Sequence, residues 1–90
     1  MIKILNAEEG IKMLRNNYIG RLAFVSKGYP YVLPITYFYA EADNCIISYS
    51  EEGHKIDAMR KQNAVSIEID EINSVNNWRS VLVHGDYEEL

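Results

Sequence analysis

The sequence predicts an antiparallel β-barrel or sandwich of the α+β class. Three observations support this prediction: short segments rich in β-branched and aromatic residues alternate with turn residues, helical periodicity is confined to two short segments, and the strands follow one another as hairpins. This order does not fit a parallel βαβ fold, in which helices connect successive strands. The length of 90 residues suits one domain, 1–90.

The first element is an N-terminal helix, predicted over residues 7–16. Asn6 and Glu9 have the spacing of a capping box, which satisfies free N–H groups at a helix start. Asn17, after Asn16, is of a residue type that can close a helix. The apolar residues expected on one face of this helix are Ile11, Leu14 and Tyr18.

A hairpin is predicted next, with strands over 19–26 and 29–39 joined by a turn at Lys27-Gly28. The return strand is long and rich in aromatic and β-branched residues. Pro34 lies within it and has no N–H to donate to a neighbouring strand. We therefore expect an edge, a bulge or a ligand-facing stretch at Pro34.

The second half of the chain is predicted to contain two more strands after a second helix. Residues 65–70 alternate Val, Ile and Ile with Ser, Glu and Asp, the period-two pattern of a half-buried strand. The elements expected here are a turn at Asp43-Asn44, a strand over 45–50, a helix over 54–62, a strand over 65–70, a polar loop over 71–77 and a last strand from Trp78.

Composition excludes several functional classes. The formal net charge of −4 argues against nonspecific binding to nucleic acid or to an anionic membrane. The lone Cys45 cannot form an internal disulfide and fits a reducing compartment. The N-terminus has no long apolar stretch, so we expect neither a signal peptide nor a membrane span, and a cytoplasmic location. Two His and one Cys, widely spaced, match no metal-site pattern, and Cys45 and His84 are expected to be structural.

The corner between the third predicted strand and the second helix has the features of a phosphate site. Gly53 makes the turn, and the helix opens with His54 and Lys55. Unbonded N–H groups and the positive end of the helix dipole attract a phosphate there. Ser50 and Lys55 would add a hydroxyl donor and a positive charge. Ordinary interpretations stay open: a solvated Lys55, an exposed His54 and a capping role for Ser50.

Four segments carry motifs in a familiar order: IGRLAFV at 19–25, GYPYVLP at 28–34, EGHKIDAMR at 52–60 and WRSVLVHG at 78–85. They resemble signatures of the pyridoxamine 5′-phosphate oxidase-like proteins, and most closely the flavin-binding branch related to nitroimidazole-resistance proteins. The resemblance covers residues 14–90. It implies an antiparallel split β-barrel with an N-terminal helix and one helix between strands 3 and 4. It also implies a homodimer with FMN bound at the protomer interface.

The same resemblance implies a set of cofactor-binding residues. One group lines the flavin ring and its phosphate: Pro34, Ile35, Thr36, Tyr49, Ser50, Gly53, His54 and Lys55. A second group reaches the cofactor held mainly by the other protomer: Trp78, Arg79 and Ser80. Thr36 is equally an ordinary strand residue, Trp78 a core or dimer anchor, and Arg79 a surface residue at a strand start.

Two features depart from the family pattern. Tyr49 stands where many relatives carry a His tied to reductive chemistry, so the resemblance does not imply nitroreduction. Relatives usually continue for several dozen residues past the position of Leu90, adding a helix and a strand. We therefore expect a natural short form, a truncated gene or a fragment that lacks those elements.

Two classes of function follow. One is an FMN-dependent oxidoreductase that passes electrons from NADH or NADPH to a small-molecule acceptor, with no residue assigned a catalytic role. The other is a noncatalytic flavin-binding or dimeric interaction module. A haem-binding protein is a weaker third expectation.

Overall fold

The structure, a computed structural model, describes residues 2–6, 10–48 and 54–88. In these residues the strands are β1 (Ile2–Asn6), β2 (Ile19–Ser26), β3 (Tyr29–Thr36), β4 (Phe38–Ala40), β5 (Cys45–Ile47), β6 (Ala64–Ser74) and β7 (Asn77–Tyr87). The helices are α1 (Ile11–Asn16) and α2 (His54–Lys61), with a 3₁₀ turn at Glu41–Asp43. The strands form one sheet in the order β3-β2-β6-β7-β1-β5-β4, and paired neighbours run antiparallel.

The two outermost strands of this sheet are consecutive in the chain. β3 and β4 are separated only by Tyr37, whose N–H donates to the Tyr18 carbonyl at 2.9 Å. Because one extended segment supplies both ends of the strand order, the sheet curls round on itself and is open between them. This confirms the predicted antiparallel split β-barrel.

The interior of the barrel is filled by inward-facing residues of all seven described strands together with both helices. Val65, Ile67 and Ile69 are buried, as their alternation with polar residues predicted. Leu14 of α1 and Met59 of α2 join the same core. The helices therefore complete a core that the curled sheet alone does not close.

The β2–β3 hairpin has the predicted strands and turn. Lys27 (φ 52°) and Gly28 (φ 82°) both adopt positive φ, as in a type I′ turn, whose twist matches that of the flanking strands. β3 is an edge strand, which confirms one of the alternatives for Pro34. The Tyr37 N–H points toward the β2 side, and N–H direction alternates along a strand, so the nitrogens of Pro30 and Pro34 face the open edge.

The start of the chain differs from the prediction. Asn6, the residue predicted to cap the helix, is the last residue of β1, which pairs with β7 and β5. Helix α1 begins at Ile11 after Gly10, without a side-chain cap, and Glu9 lies outside the described residues. Tyr18, expected on the helical face, follows the helix and is 68% exposed. A strand of five residues carries too little alternation to be recognised without its partners.

The predicted polar loop over 71–77 is also wrong. β6 continues to Ser74 and β7 begins at Asn77, with only Val75 and Asn76 between them. Cross-strand pairs such as Ile72↔Trp78 extend the ladder through this polar segment, with an irregularity between Ile72 and Ser74. Tertiary pairing overrides local composition here.

Helix α2 lies where the sequence placed it, between the predicted third and fourth strands. In the observed order those strands are β5 and β6, because the structure adds β1 and divides the predicted strand 29–39 at Tyr37 into β3 and β4. Within 2–6, 10–48 and 54–88, no helix has the length and apolar character needed to cross a bilayer.

Candidate functional site

The structure describes two of the segments that form the predicted phosphate corner. Helix α2 begins at His54, as expected, and carries Lys55 in its first turn. Tyr49, Ser50 and Gly53 lie outside the described residues, so their predicted roles remain predictions. The described sides are the end of β5 with Ser48 and the first turn of α2.

Ser48 and Lys55 meet β3 at this corner. Ser48 Oγ donates a hydrogen bond of 2.7 Å to the Thr36 carbonyl. Ser48, Lys55 and Ile35 line a common small cavity of about 30 Å³. Its remaining walls are apolar apart from a tyrosine: Ile2, Leu22, Ile46, Ile56, Met59 and Tyr87. The structure thus brings together three of the predicted ligand residues, Ile35, Thr36 and Lys55.

Ser48 is a residue of this corner that sequence reasoning did not select. It follows β5 directly and spans from that strand to the last residue of β3. The available signal was weak, since a serine after a strand is usually a turn residue. Only the nonlocal contact with Thr36 distinguishes it.

The positive charge of Lys55 is unfavourably placed at the start of α2 when no anion is bound. Lys55 is partly buried in the first turn of α2, where the positive end of the helix dipole disfavours a cation. Asp57, also in the first turn, is exposed and contacts Arg60 Nη1 at 3.4 Å. An anion beside Lys55 and the N–H groups of this turn would remove the conflict.

The three predicted residues of β7 do not share one face. Trp78 and Ser80 lie on one face of the strand and Arg79 on the other, because successive strand residues alternate. Trp78 is 61% exposed and pairs across from Ile72. Ser80 Oγ donates to Glu68 Oε2 at 2.6 Å.

Arg79 belongs to a polar network on the opposite face from Trp78. Its Nε donates to Glu71 Oε1 at 2.6 Å, and its Nη2 lies 2.5 Å from the same oxygen. Asn17 Nδ2 donates to Glu71 Oε2 at 2.8 Å and to the Met13 carbonyl at 2.9 Å. The hydrogen bond from Asn17, followed by that from Arg79, holds the pKa of Glu71 below its usual value.

The β7 residues and the corner are separate in one chain. Thr36 is on β3 and Ser80 on β7, with β2 and β6 between them, which is about 14 Å along the sheet at the usual strand spacing. Pro34 lies beside Thr36 on the exposed face of β3. In one chain, Thr36 at the corner and the β7 residues therefore lie on strands that do not pair with each other.

The other residues considered for chemistry have structural environments. Cys45 is fully buried, and His84 Nδ1 lies 2.7 Å from Ser66 Oγ on the outside of the sheet. In the part of the chain that the structure describes, no group of three or more His, Cys, Asp or Glu is placed to hold a metal ion.

Comparison with known proteins gives a family match that covers most of the chain. The family model for pyridoxamine 5′-phosphate oxidase matches residues 6–90. An uncharacterised protein of Rhizobium meliloti (strain 1021) is 37% identical over 89 residues, covering 99% of this chain and 58% of that protein.

Two solved structures share the fold. The crystal structure of an FAD-binding protein from Mesorhizobium loti has a TM-score of 0.82 and 41% identity, covering 100% of this chain and 64% of that one. The structure of the FAD-binding protein from Mycobacterium smegmatis has a TM-score of 0.68 and 24% identity, covering 91% and 66%. The chain therefore spans less than two thirds of the length of each of these three proteins.

Proposed function

This chain belongs to the pyridoxamine 5′-phosphate oxidase family, and from that premise we propose that it binds a flavin, with the flavin phosphate at the corner formed by Ser48 and the start of α2. The observation that carries the proposal is the convergence of Ser48, Thr36 and Lys55 at a helix N-terminus. The FAD-binding protein of Mesorhizobium loti has the same fold over the full length of this chain, which supports the choice of ligand class.

The residues of the corner fit a phosphate ester. N–H groups in the first turn of α2 have no intrahelical acceptor, and phosphate oxygens accept from such groups. Lys55 supplies a positive charge, and Ser48, whose hydroxyl donates to the Thr36 carbonyl, holds the end of β5 against β3 beside it. Because Lys55 opposes the helix dipole, a bound phosphate converts an unfavourable charge into an attractive one.

The flavin ring is proposed to lie along the end of β3. Backbone groups on the open edge beside Pro34 and Thr36 can hydrogen-bond the polar edge of an isoalloxazine, while apolar side chains provide area for its faces. Ile35 points inward and supports this strand from the core.

FMN is the proposed flavin. The described corner offers one helix N-terminus and one lysine, which suit a single terminal phosphate carrying close to two negative charges. FAD, which the two structural relatives are described as binding, would need a second group of donors for its pyrophosphate and adenosine.

A homodimer with FMN at the protomer interface is part of the proposal. In one chain Trp78 lies away from the corner, yet Trp78, Ile72 and Val75 are all more than half exposed on the β6–β7 hairpin. Exposed aromatic and aliphatic side chains that cluster at one place are typical of a surface that another chain covers. The hairpin of a second copy, which carries Trp78 on one face and Arg79 on the other, would extend to the corner of the first.

The activity proposed for the flavin-loaded dimer is oxidoreduction, with NADH or NADPH as electron donor and a small molecule as acceptor. A bound flavin supplies the electron-transfer chemistry, and the protein's own residues bind, orient and shield it. The second candidate is a noncatalytic flavin-binding module. It is supported by the Mesorhizobium loti relative, which is described as an FAD-binding protein.

The test is the visible absorption spectrum of the purified protein, followed by identification of the released flavin by chromatography. We expect a flavin spectrum, release of FMN rather than FAD, and bleaching under anaerobic addition of NADH or NADPH. A flavin spectrum that stays oxidised with both donors supports the noncatalytic module. A colourless protein that takes up neither FMN nor FAD overturns the proposal.

A further inference from the structure

We infer that Glu71, oriented by Asn17, is a positioning residue that holds the Arg79 guanidinium ready for an anionic group of the ligand. The inference rests on the proposed flavin-binding function and extends it to two residues outside the predicted site. It is carried by the contacts that join Asn17, Glu71 and Arg79.

The geometry leaves one edge of Arg79 for a ligand. Arg79 Nε and Nη2 both contact a single carboxylate oxygen of Glu71, so the carboxylate binds one edge of the guanidinium. A guanidinium has five N–H donors in a planar fork, and its outer edge can still engage a second anion. The Arg79 side chain is 64% exposed while that of Glu71 is 26% exposed, so the arginine lies on the solvent side of the pair.

The carboxylate is itself fixed in place. Its second oxygen accepts from Asn17 Nδ2, and the same nitrogen donates to the Met13 carbonyl near the end of α1. Glu71 and Arg79 also face each other across the β6–β7 ladder. The network therefore joins the end of α1 to the hairpin and restrains an arginine that would otherwise sample many rotamers.

Positioning and repulsion have opposite effects on ligand affinity. Glu71 repels an anion bound at the outer edge of Arg79, but the guanidinium separates the two negative groups and solvent screens them. Against this, an unrestrained arginine loses considerable side-chain entropy when a ligand orders it. Because this side chain is exposed, we expect ordering to outweigh the screened repulsion.

The test is a double-mutant cycle measured by FMN titration, using Glu71→Gln, Arg79→Ala and the double variant. We expect Glu71→Gln to weaken FMN binding about tenfold in the wild-type background and to change it less than twofold in the Arg79→Ala background. The matched control is Glu41→Gln, which breaks an exposed ion pair with Arg15 away from the hairpin. It should leave FMN affinity unchanged.

A readout that does not require flavin accompanies the titration. The ¹⁵N–¹H signal of Arg79 Nε should be protected from solvent exchange in the wild-type protein and lose that protection in Glu71→Gln and in Asn17→Ala. A purely structural role for Glu71 would weaken FMN binding equally with and without Arg79, and that result overturns the inference.

Two other outcomes are informative in opposite ways. Wild-type protein that binds FMN while Glu71→Gln binds it equally or more tightly overturns the inference alone. Wild-type protein that binds neither FMN nor FAD overturns the proposed function and with it the ligand role of Arg79, whatever the Nε signal shows.

Discussion

The Tyr37 hydroxyl donates a hydrogen bond of 3.0 Å to the Leu14 carbonyl, and so joins helix α1 to the point where β3 passes into β4. Leu14 is in the last turn of α1, where carbonyl groups have no intrahelical donor. Asn17 Nδ2 satisfies the Met13 carbonyl of the same turn. Two side chains thus cap the end of α1: Tyr37 from the barrel and Asn17, which directly follows the helix.

Replacing Tyr37 with Phe should destabilise the fold by about 0.5–1.5 kcal/mol, since the substitution leaves the Leu14 carbonyl without its donor. Burial raises the pKa of Tyr37 to about 12 from 10.0, so the folded state favours the protonated phenol. Its contribution is therefore complete below pH 10 and is lost as the pH rises towards 12. The free energy of unfolding measured between pH 9 and 12 should fall less steeply in Tyr37→Phe than in the wild type. Tyr18→Phe is the control, because Tyr18 is 68% exposed.

Replacing Lys55 with Ala should weaken FMN binding by about 1–3 kcal/mol, the usual size of a charge-assisted hydrogen bond. Titration by quenching of flavin fluorescence measures the effect. Lys61→Ala on the same helix is the matched control, because Lys61 is exposed in the last turn, at the opposite end from the corner. Equal affinities for the wild type and both variants would place the phosphate elsewhere.

Replacing Trp78 with Ala should weaken the dimer and the binding of FMN together, since its indole is proposed to meet the corner of a second copy. Sedimentation velocity over a dilution series, read at both protein and flavin wavelengths, reports the two effects at once. Tyr29→Ala, at a comparably exposed aromatic residue beside the β2–β3 turn, should alter neither. A monomeric wild-type protein that retains its flavin would contradict this arrangement.

Replacing Lys27 with Asn should stabilise the protein by up to about 1 kcal/mol, because Asn tolerates the left-handed conformation better than Lys does. Lys27→Val should lower the stability instead, since a β-branched residue is strained at φ 52°. In thermal unfolding, the melting temperature should therefore be highest for Lys27→Asn, intermediate for the wild type and lowest for Lys27→Val. No difference among them would mean that this turn does not govern the stability of the hairpin.

The elements that could be predicted from the sequence are those specified by local chemistry. The β2–β3 hairpin follows from Lys27-Gly28 and its flanking strands, and the burial of β6 from its period-two pattern. β1 is not predictable from local sequence, because its five residues become a strand only through pairing with β5 and β7. The polarity of segment 71–77 predicts a loop, but cross-strand pairing extends both β6 and β7 into it.

The candidate site divides in the same way. Lys55 can be predicted as a ligand-binding residue because the attraction of a helix N-terminus for anions is a local property. Arg79 can be predicted because it lies in a family motif. Ser48 and Glu71 cannot be predicted in this way, since each is identified by a hydrogen bond to a residue far along the chain. Ser48 bonds to Thr36, and Glu71 to Asn17. Alternation along β7 also separates Arg79 from Trp78 and Ser80, which a linear motif presents as one unit.

Pro30 and Pro34 have a consequence for how this molecule can associate. At both positions the rim of the curled sheet offers a carbonyl acceptor but no amide hydrogen, so an incoming polypeptide cannot form a regular ladder there. Fibre-like growth by strand addition is disfavoured along this margin. A protein that covers this margin would have to contact it mainly through side chains rather than by extending the sheet.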